Sequence, residues 1–180
     1  MNKSTRNATR IFTIGHSNRS SEDFLSLLRE FGIQTLADIR RFPSSRKFSH
    51  FDREALRDLL EAEDIHYRWF EALGGRRQQG TREQSPNTGL NSPGFRNYAD
   101  YMMTNQFPAA VEELLWLGAE RQTAVMCAER LYWKCHRRLL SDFLVAQGVA
   151  VTHILGRGNL RAHKLTPNAR ILENGMVIYP

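Results

Sequence analysis

Residues 11–39 read IFTIGHSNRSSEDFLSLLREFGIQTLADI, and they contain one complete strand–helix–strand unit. The apolar runs Ile11–Gly15 and Thr35–Ile39 predict its two strands. Between them, Ser20 and Asp23 have the spacing of a helix capping box, and the apolar residues that follow recur at helical spacing. Because a helical crossover joins parallel strands, this unit predicts an α/β domain.

The rest of the chain repeats the alternation of strands and helices. The other predicted strands are His66–Phe70, Thr123–Cys127 and Val149–Leu155. The other predicted helices are Asp52–Glu63, one that begins at Ser92-Pro93, Pro108–Leu117 ending at Gly118, and Leu131–Gln147. We therefore expect a single α/β domain over residues 11–155, with a mainly parallel sheet of about five strands flanked by helices.

Two segments fall outside this pattern. Ala72–Asn91 is rich in glycine and polar residues, and it predicts a long loop of the kind that serves as a lid or a binding loop. Residues 156–180 predict a small C-terminal extension, in which Asn174-Gly175 has the sequence of a β-hairpin turn.

The charge and the cysteine content limit the classes of partner. A formal net charge of +6 over 180 residues favours polyanions such as nucleic acid, or phosphate-bearing small molecules. Two cysteines do not make a secreted disulfide framework, and no secretory signal or membrane-spanning run is evident. We expect a cytoplasmic protein with no membrane partner, and the sequence leaves its oligomeric state open.

In sheets of this type, ligands bind beyond the carboxyl ends of the strands. This rule predicts a cleft where Gly15–Ser17, Asp38–Arg40 and Cys127–Glu129 meet. After the first strand, Gly15 leaves backbone N–H groups free to meet an anion, His16 is a candidate acid, base or ligand, and Ser17 is a candidate donor. Ordinary turn chemistry explains the same residues equally well.

The segment after the second strand combines an acid with a guanidinium. Asp38 and Arg40 project from one face of the strand, where they could grip a phosphate or hold a base; a structural ion pair is the alternative. Ser45 adds a hydroxyl beside Arg46 and Lys47, either as a binding group or in a solvated loop.

After the third strand, Gly74 and Gly75 would let the backbone approach a ligand, and Arg76 would bind phosphate through its fork of donors. Tyr67 could offer an aromatic surface on which a base stacks, although such aromatic residues are more often part of the core.

The segment after the fourth strand carries the most chemistry. Cys127 occupies the position of a nucleophile in many α/β enzymes, and Glu129 is a candidate general acid or base. Cys135 shares a helical stripe with later apolar residues, which predicts a small buried hydrophobic residue. His136 could point toward Cys127 or Glu129. Arg137, near a helix N-terminus, is expected to have a specific anionic partner, either Glu129 or a ligand.

Metal binding is a further alternative, because Cys127, Cys135, His136 and His16 are all good ligand types. Their spacing matches no common zinc pattern. No metal ligand is therefore assigned, and the cofactor remains open, with zinc and iron as the candidates.

The motifs at the strand ends follow one another in a fixed order: Thr13–Ser17, Asp38–Arg40 with Pro43 and Ser45, Tyr67 with Leu73–Gly75, Cys127–Glu129, and Cys135–Arg137. Together they resemble the uncharacterised bacterial family catalogued as domain of unknown function 488, over residues 11–155. The resemblance implies an α/β fold and a shared site at these positions, and it implies no particular reaction.

Three functions fit these residues. The first is an enzyme-like domain that acts on or binds a nucleic acid or nucleotide. Its phosphate ligands would be Arg40, Arg76 and Arg137, its acid–base groups Asp38, Glu129 and His16 or His136, and its nucleophile or wall residue Cys127. The second is a thiol- or metal-dependent enzyme that uses Cys127, Cys135 and His136. The third is a binding module without catalysis.

Overall fold

The computed structural model describes residues 9–78 and 84–180. The loop predicted over residues 72–91, which includes Arg82, therefore lies partly outside the described residues. In these two ranges, eight strands form two sheets: β1 (Arg10–Gly15), β2 (Thr35–Asp38), β3 (His66–Trp69), β4 (Thr123–Cys127), β5 (Ala150–Gly156), β6 (Asn159–Ala162), β7 (Arg170–Ile171) and β8 (Val177–Ile178). The α-helices are α1 (Ser21–Glu30), α2 (Arg53–Glu61), α3 (Pro93–Met102), α4 (Gln106–Glu120) and α5 (Arg137–Ala146).

The main sheet has the strand order β3-β2-β4-β1-β5-β6. The first five strands in this order are parallel, and β6 pairs antiparallel with β5 at one edge. The prediction of a mainly parallel α/β sheet is thus confirmed. The C-terminal extension supplies β6 to this sheet, and β7 and β8 pair with each other in a separate antiparallel ribbon.

Successive residues of the central strands pack into two different cores, one on each face of the sheet. Phe12 and Ile14 of β1 pack with α1 and α2, whereas Ile11 packs with α3, α4 and α5. All five residues of β4 are buried, as expected for a central parallel strand with both faces covered. The two layers of helices therefore leave the carboxyl edge of the sheet as the place where loops can shape a cavity.

Two helices differ from their predicted bounds. The helix expected over Leu131–Gln147 begins only at Arg137, because residues 132–134 form a 3₁₀ turn and Cys135 is extended. The ring of Tyr132 stacks on His153 at 3.4 Å, which holds this turn off the axis of α5. The helix expected to end at Gly118 continues to Glu120. Gly118 does not end the helix; it lies inside α4, where the lack of a side chain allows close packing on Ile11 of β1.

No helix in the described part of the chain is long and apolar enough to cross a membrane.

Candidate functional site

A cavity of about 800 Å³ opens beyond the carboxyl ends of β1 and β4, which are neighbours in the sheet. The segment after β1 leads to α1 on one face, and the segment after β4 leads to α5 on the other. The two loops diverge above adjacent strands, which is the position where open α/β sheets bind ligands. Eighteen residues line the cavity: His16, Ser17, Asn18, Arg40, Arg41, Phe42, Ser44, Ser45, Lys47, Phe48, Gly75, Arg76, Cys127, Ala128, Glu129, Arg130, Cys135 and His136.

Gly15 brings the two loops into close contact. A Cβ atom built on Gly15 would lie 1.9 Å from the carbonyl oxygen of Glu129, so only glycine fits at this position. Just beyond it, the amide of His16 donates to the carbonyl of Cys127 at 2.9 Å, and the amide of Ser17 donates to that of Ala128 at 3.0 Å. These two amides therefore join the loops to each other and are not free to meet an anion.

His16 forms part of the cavity wall as a neutral imidazole. Its Nδ1 donates to the carbonyl of Ser17 at 2.9 Å, and its ring stacks on Phe51 at 4.2 Å. Burial lowers the pKa of His16 to about 4, and the charge of Arg40 adds to this effect against the raising influence of the Ser17 hydrogen bond. Nε2 then keeps its lone pair and faces Nη1 of Arg40 at 3.5 Å.

Asp38 is completely buried and does not line the cavity. Its carboxylate accepts from the backbone amide, Nε and Nη2 of Arg40 and from the hydroxyl of Tyr67. Tyr67 thus orients the carboxylate, and Asp38 orients the guanidinium. Arg40 also donates from Nη1 to the carbonyl of Phe51 at 2.7 Å, so it reaches the cavity wall as a fixed cation.

The two cysteines lie side by side in the cavity wall. Cys127 ends β4 and Cys135 precedes α5, and their sulfur atoms are 3.4 Å apart as free thiols. Nε of Arg137 faces Sγ of Cys135 at 3.3 Å. Arg137 is 1% exposed, and it also donates to the carbonyls of Glu129 and Arg130. The predicted anionic partner of Arg137 is therefore the backbone of Glu129 together with the sulfur of Cys135, and the Glu129 carboxylate is not involved.

The proton is distributed unequally between the two thiols. Burial raises the pKa of Cys127, and so does its hydrogen bond to Cys135. Burial acts in the same direction on Cys135, but the hydrogen bond from Cys127 and the charge of Arg137 outweigh it and lower the pKa of Cys135 to about 6. Cys135, predicted to be a buried hydrophobic residue, is thus the more acidic thiol of the two.

A chain of hydrogen bonds leads from Arg137 into the interior. Nη1 of Arg137 donates to Oγ1 of Thr13 at 3.4 Å, and Thr13 lies 2.7 Å from Nδ1 of His153. Nε2 of His153 lies 2.9 Å from Nδ1 of His163, whose Nε2 donates to Asp142 at 2.8 Å. Through Thr13 and the two imidazoles, a buried cation is thus linked to a buried anion.

His136 also presents an unprotonated nitrogen to the cavity. Its Nε2 donates to the carbonyl of Ile39 at 3.0 Å, and burial lowers its pKa to about 4. Nδ1 then faces Gly75, where an added Cβ atom would lie 2.8 Å away. Gly74 packs against the backbone of Arg41 and is not part of the cavity lining. Gly74 and Gly75 therefore allow close packing against Arg41 and His136, not the approach of a ligand to the backbone.

The mouth of the cavity carries exposed charge. Arg76, Glu129 and Arg130 are exposed, and Arg76 has a left-handed backbone at φ 56°. Ser45 lines the wall, and its Oγ accepts from the amide of Phe48 at 3.0 Å. Ser17 is left-handed at φ 52°, and its hydroxyl reaches only the neighbouring Asn18.

The described residues contain no cluster of three or more His, Cys, Asp or Glu side chains that could hold a metal ion. In particular, Nε2 of His136 and Nδ1 of His16 are engaged by backbone carbonyls. The zinc or iron alternative consequently has no ligand set in this part of the chain.

Sequence reasoning missed several members of the site. The wall contains Arg41, Phe42, Phe48 and Arg130 in addition to the predicted residues. It also missed the interior network. The signal for that network was the presence of polar residues in buried and largely apolar segments, namely Thr13, Asp142 and His153.

No curated protein and no solved structure shows significant similarity to this chain. A family profile does match it, over residues 20–144, which is more than half of the chain. The match confirms the resemblance inferred from the strand-end motifs. The chain therefore belongs to the family described as Domain of unknown function DUF488.

Proposed function

We propose that the cavity binds, and acts on, a phosphate-bearing substrate of the class that includes nucleotides and the ends of nucleic acids. One observation carries this proposal. Among the residues that the structure describes, the lining contains five cationic side chains and a single carboxylate, that of Glu129; the cations are Arg40, Arg41, Lys47, Arg76 and Arg130.

Ion pairs with other described residues neutralise two of these cations. Arg40 pairs with Asp38 at 2.6 Å, and Arg41 pairs with Glu71 at 2.8 Å. Within residues 9–78 and 84–180, Lys47, Arg76 and Arg130 have no acidic partner within 4 Å; each of these three remains available to an anion. Charge-assisted hydrogen bonds to phosphate are the contacts that such side chains make best.

The size and the apolar part of the cavity fit a nucleotide. A volume of about 800 Å³ is within the range of small-molecule sites. Phe42, which is 63% exposed, and Phe48 lie beside the cations in the wall. Aromatic rings next to phosphate-binding cations are the combination on which nucleic-acid bases stack.

The remaining residues take distinct parts in this proposal. Arg76 and Arg130 meet phosphate at the mouth, with Arg40 deeper in the wall and the hydroxyls of Ser17 and Ser45 as donors. Glu129 is the exposed acid–base group, and neutral His16 and His136 are proton acceptors. Asp38 and Tyr67 hold Arg40 in place, and Arg137 holds Cys135 and the loop carbonyls. The free thiols fit a reducing compartment, and we place the protein in the cytoplasm.

Titration of the full chain with inorganic phosphate, a mononucleotide and short single-stranded DNA and RNA, each at several salt concentrations, tests the proposal. We expect oligonucleotide affinity to fall with salt, and Arg76→Gln or Arg130→Gln to reduce the slope of log affinity against log salt by about 1.

Arg121→Gln is the matched control. It removes the same charge from an exposed position just before β4, at the opposite end of the sheet from the cavity. Affinity that does not change with salt, or an equal loss in the Arg121 variant, would show that the cavity is not the binding site.

A further inference from the structure

The two cysteines have no part in the binding of phosphate, yet their arrangement is specific. Both cysteines are buried residues that line the cavity, and their sulfurs are 3.4 Å apart. A disulfide needs a separation of about 2.05 Å, so the sulfurs have to approach by a little over 1 Å. Cys135 is extended between a 3₁₀ turn and the first residue of α5. Its sulfur can therefore move without unwinding the helix.

The surroundings of the two thiols are unequal. Each sulfur faces a backbone carbonyl, that of Tyr132 at 3.6 Å for Cys135 and that of Glu129 at 3.7 Å for Cys127, but Nε of Arg137 lies 3.3 Å from Sγ of Cys135. A guanidinium stabilises a thiolate, so the contact with Arg137 is what distinguishes the two sulfurs. The environment thus holds the charge on Cys135 and the proton on Cys127, in agreement with the direction of their pKa shifts.

We propose that Cys127 and Cys135 are a redox-active dithiol that reacts with low-molecular-weight disulfides, with Cys135 as the attacking thiolate and Cys127 as the resolving thiol. This activity is independent of the phosphate-binding proposal, because it needs only the thiol pair and Arg137.

The reaction balances in two steps. The Cys135 thiolate attacks one sulfur of the small disulfide, which forms a mixed disulfide on Cys135 and releases one small thiolate. The Cys127 thiol then attacks Sγ of Cys135; the Cys127–Cys135 bond forms, and the second small thiol leaves with the proton of Cys127. The protein loses two electrons, and the small disulfide gains them.

The wild-type chain gives the first test. We would equilibrate it at pH 7 in mixtures of reduced and oxidised glutathione, quench with an alkylating reagent and measure the intact mass. The expected result is one two-electron transition in which both thiols of the monomer are lost together. Two cysteines that stay alkylatable at every ratio, or that link only between molecules, would overturn the proposal.

Single variants then distinguish the roles of the two sulfurs. Cys127→Ser should accumulate a glutathione adduct on Cys135, because the resolving thiol is missing. Cys135→Ser should stay unmodified, because Arg137 faces the sulfur of Cys135 and the pKa of Cys127 is raised, so Cys127 keeps its proton. Thermal unfolding shows whether each variant is folded, and the wild-type titration does not depend on either. An adduct on Cys127 but not on Cys135 would contradict the assignment.

Discussion

Arg137 Nε lies 3.3 Å from Cys135 Sγ, so a guanidinium that is 1% exposed is balanced by sulfur and not by a carboxylate. Within the described residues, Arg137 takes part in no ion pair with Asp or Glu. A buried charge requires a partner or full hydrogen bonding. The contact therefore stabilises the arginine and the thiolate together.

Arg137→Gln should make Cys135 a weaker nucleophile near neutral pH. The charge of Arg137 helps to lower the pKa of Cys135 to about 6, so its removal moves the titration of this thiol toward higher pH. At pH 7 the thiolate fraction falls, and we expect the alkylation rate to fall roughly tenfold. The rate at Cys135, followed by peptide mass mapping across a pH series, measures the shift.

Arg138→Gln is the control for this experiment. It removes the same charge from the next residue, whose guanidinium lies over the ring of Phe95 at 4.9 Å. The Arg138 variant should keep the wild-type profile. If the two variants shift the pH dependence of alkylation equally, the net charge of the protein, and not the contact with Arg137, determines the pKa of Cys135.

Stability should fall as the pH is lowered from 7 to 5. Burial lowers the pKa of His16 and His136 from 6.5 to about 4 and that of His153 to about 2. The unfolded chain takes up protons below pH 6.5, while the folded chain does not. The contribution of these histidines is therefore complete above 6.5 and is lost as the pH approaches the folded values.

Urea unfolding at pH 7 and pH 5 measures this effect, and we expect the three histidines together to lower the free energy of unfolding by roughly 5 kcal/mol. His66→Gln changes an exposed histidine of β3 and should leave the pH dependence unaltered. Equal free energies at the two pH values would mean that these imidazoles are protonated in the folded protein.

The sequence predicted the fold because hydrophobic periodicity is local. The strand–helix alternation and the buried run at Thr123–Cys127 depend on neighbouring residues, and the structure has them in nearly the predicted places. The position of the cavity followed from the same pattern, since parallel strands place their carboxyl ends together.

Other parts of the site depend on contacts between distant residues, which periodicity does not contain. Cys135 was assigned to a helical stripe, but α5 begins only at Arg137. The turn before it is held by the stacking of Tyr132 on His153, a residue of β5. Asp38 forms the structural ion pair with Arg40 that was the alternative to a binding role, and distant contacts decide this too. Tyr67, from a neighbouring strand, completes the set of donors that occupies its carboxylate.

Gly15→Ala should destabilise the protein by about 3 kcal/mol, because the new methyl group would overlap the carbonyl of Glu129 at 1.9 Å. The loop that carries Glu129 would have to move away from β1, and its carbonyl bond to Arg137 would be lost with it. We would measure the free energy of urea unfolding and the alkylation rate of Cys135 in the same variant.

Gly156→Ala provides the comparison, since an added Cβ at Gly156 in β5 meets nothing within 4 Å. This variant should be at least as stable as the wild type, because alanine lowers the conformational entropy of the unfolded chain. A similar loss of stability in both variants would show that the close approach of Glu129 is not what requires glycine at Gly15.

The hydroxyl of Thr13 should contribute far more to the stability of the fold than that of Thr35. Both threonines are completely buried, Thr13 within β1 and Thr35 at the start of β2. Thr13 Oγ1 joins Arg137 to His153, whereas Thr35 Oγ1 has no hydrogen-bond partner among the residues that the structure describes. Thr13→Val keeps the shape of the side chain and leaves two buried polar groups unpaired, which should cost about 1–3 kcal/mol.

Thr35→Val removes a buried hydroxyl that makes no hydrogen bond, so it should be neutral or stabilising. Urea unfolding of the two variants gives the comparison, and the alkylation rate of Cys135 adds a readout specific to the network. Loss of the Thr13 hydroxyl leaves Nη1 of Arg137 unpaired and frees the guanidinium to shift from the sulfur. A slower reaction of Cys135 in Thr13→Val alone would show that the interior hydrogen bonds affect the reactivity of the thiol. Equal rates in both variants would show that these hydrogen bonds serve stability alone.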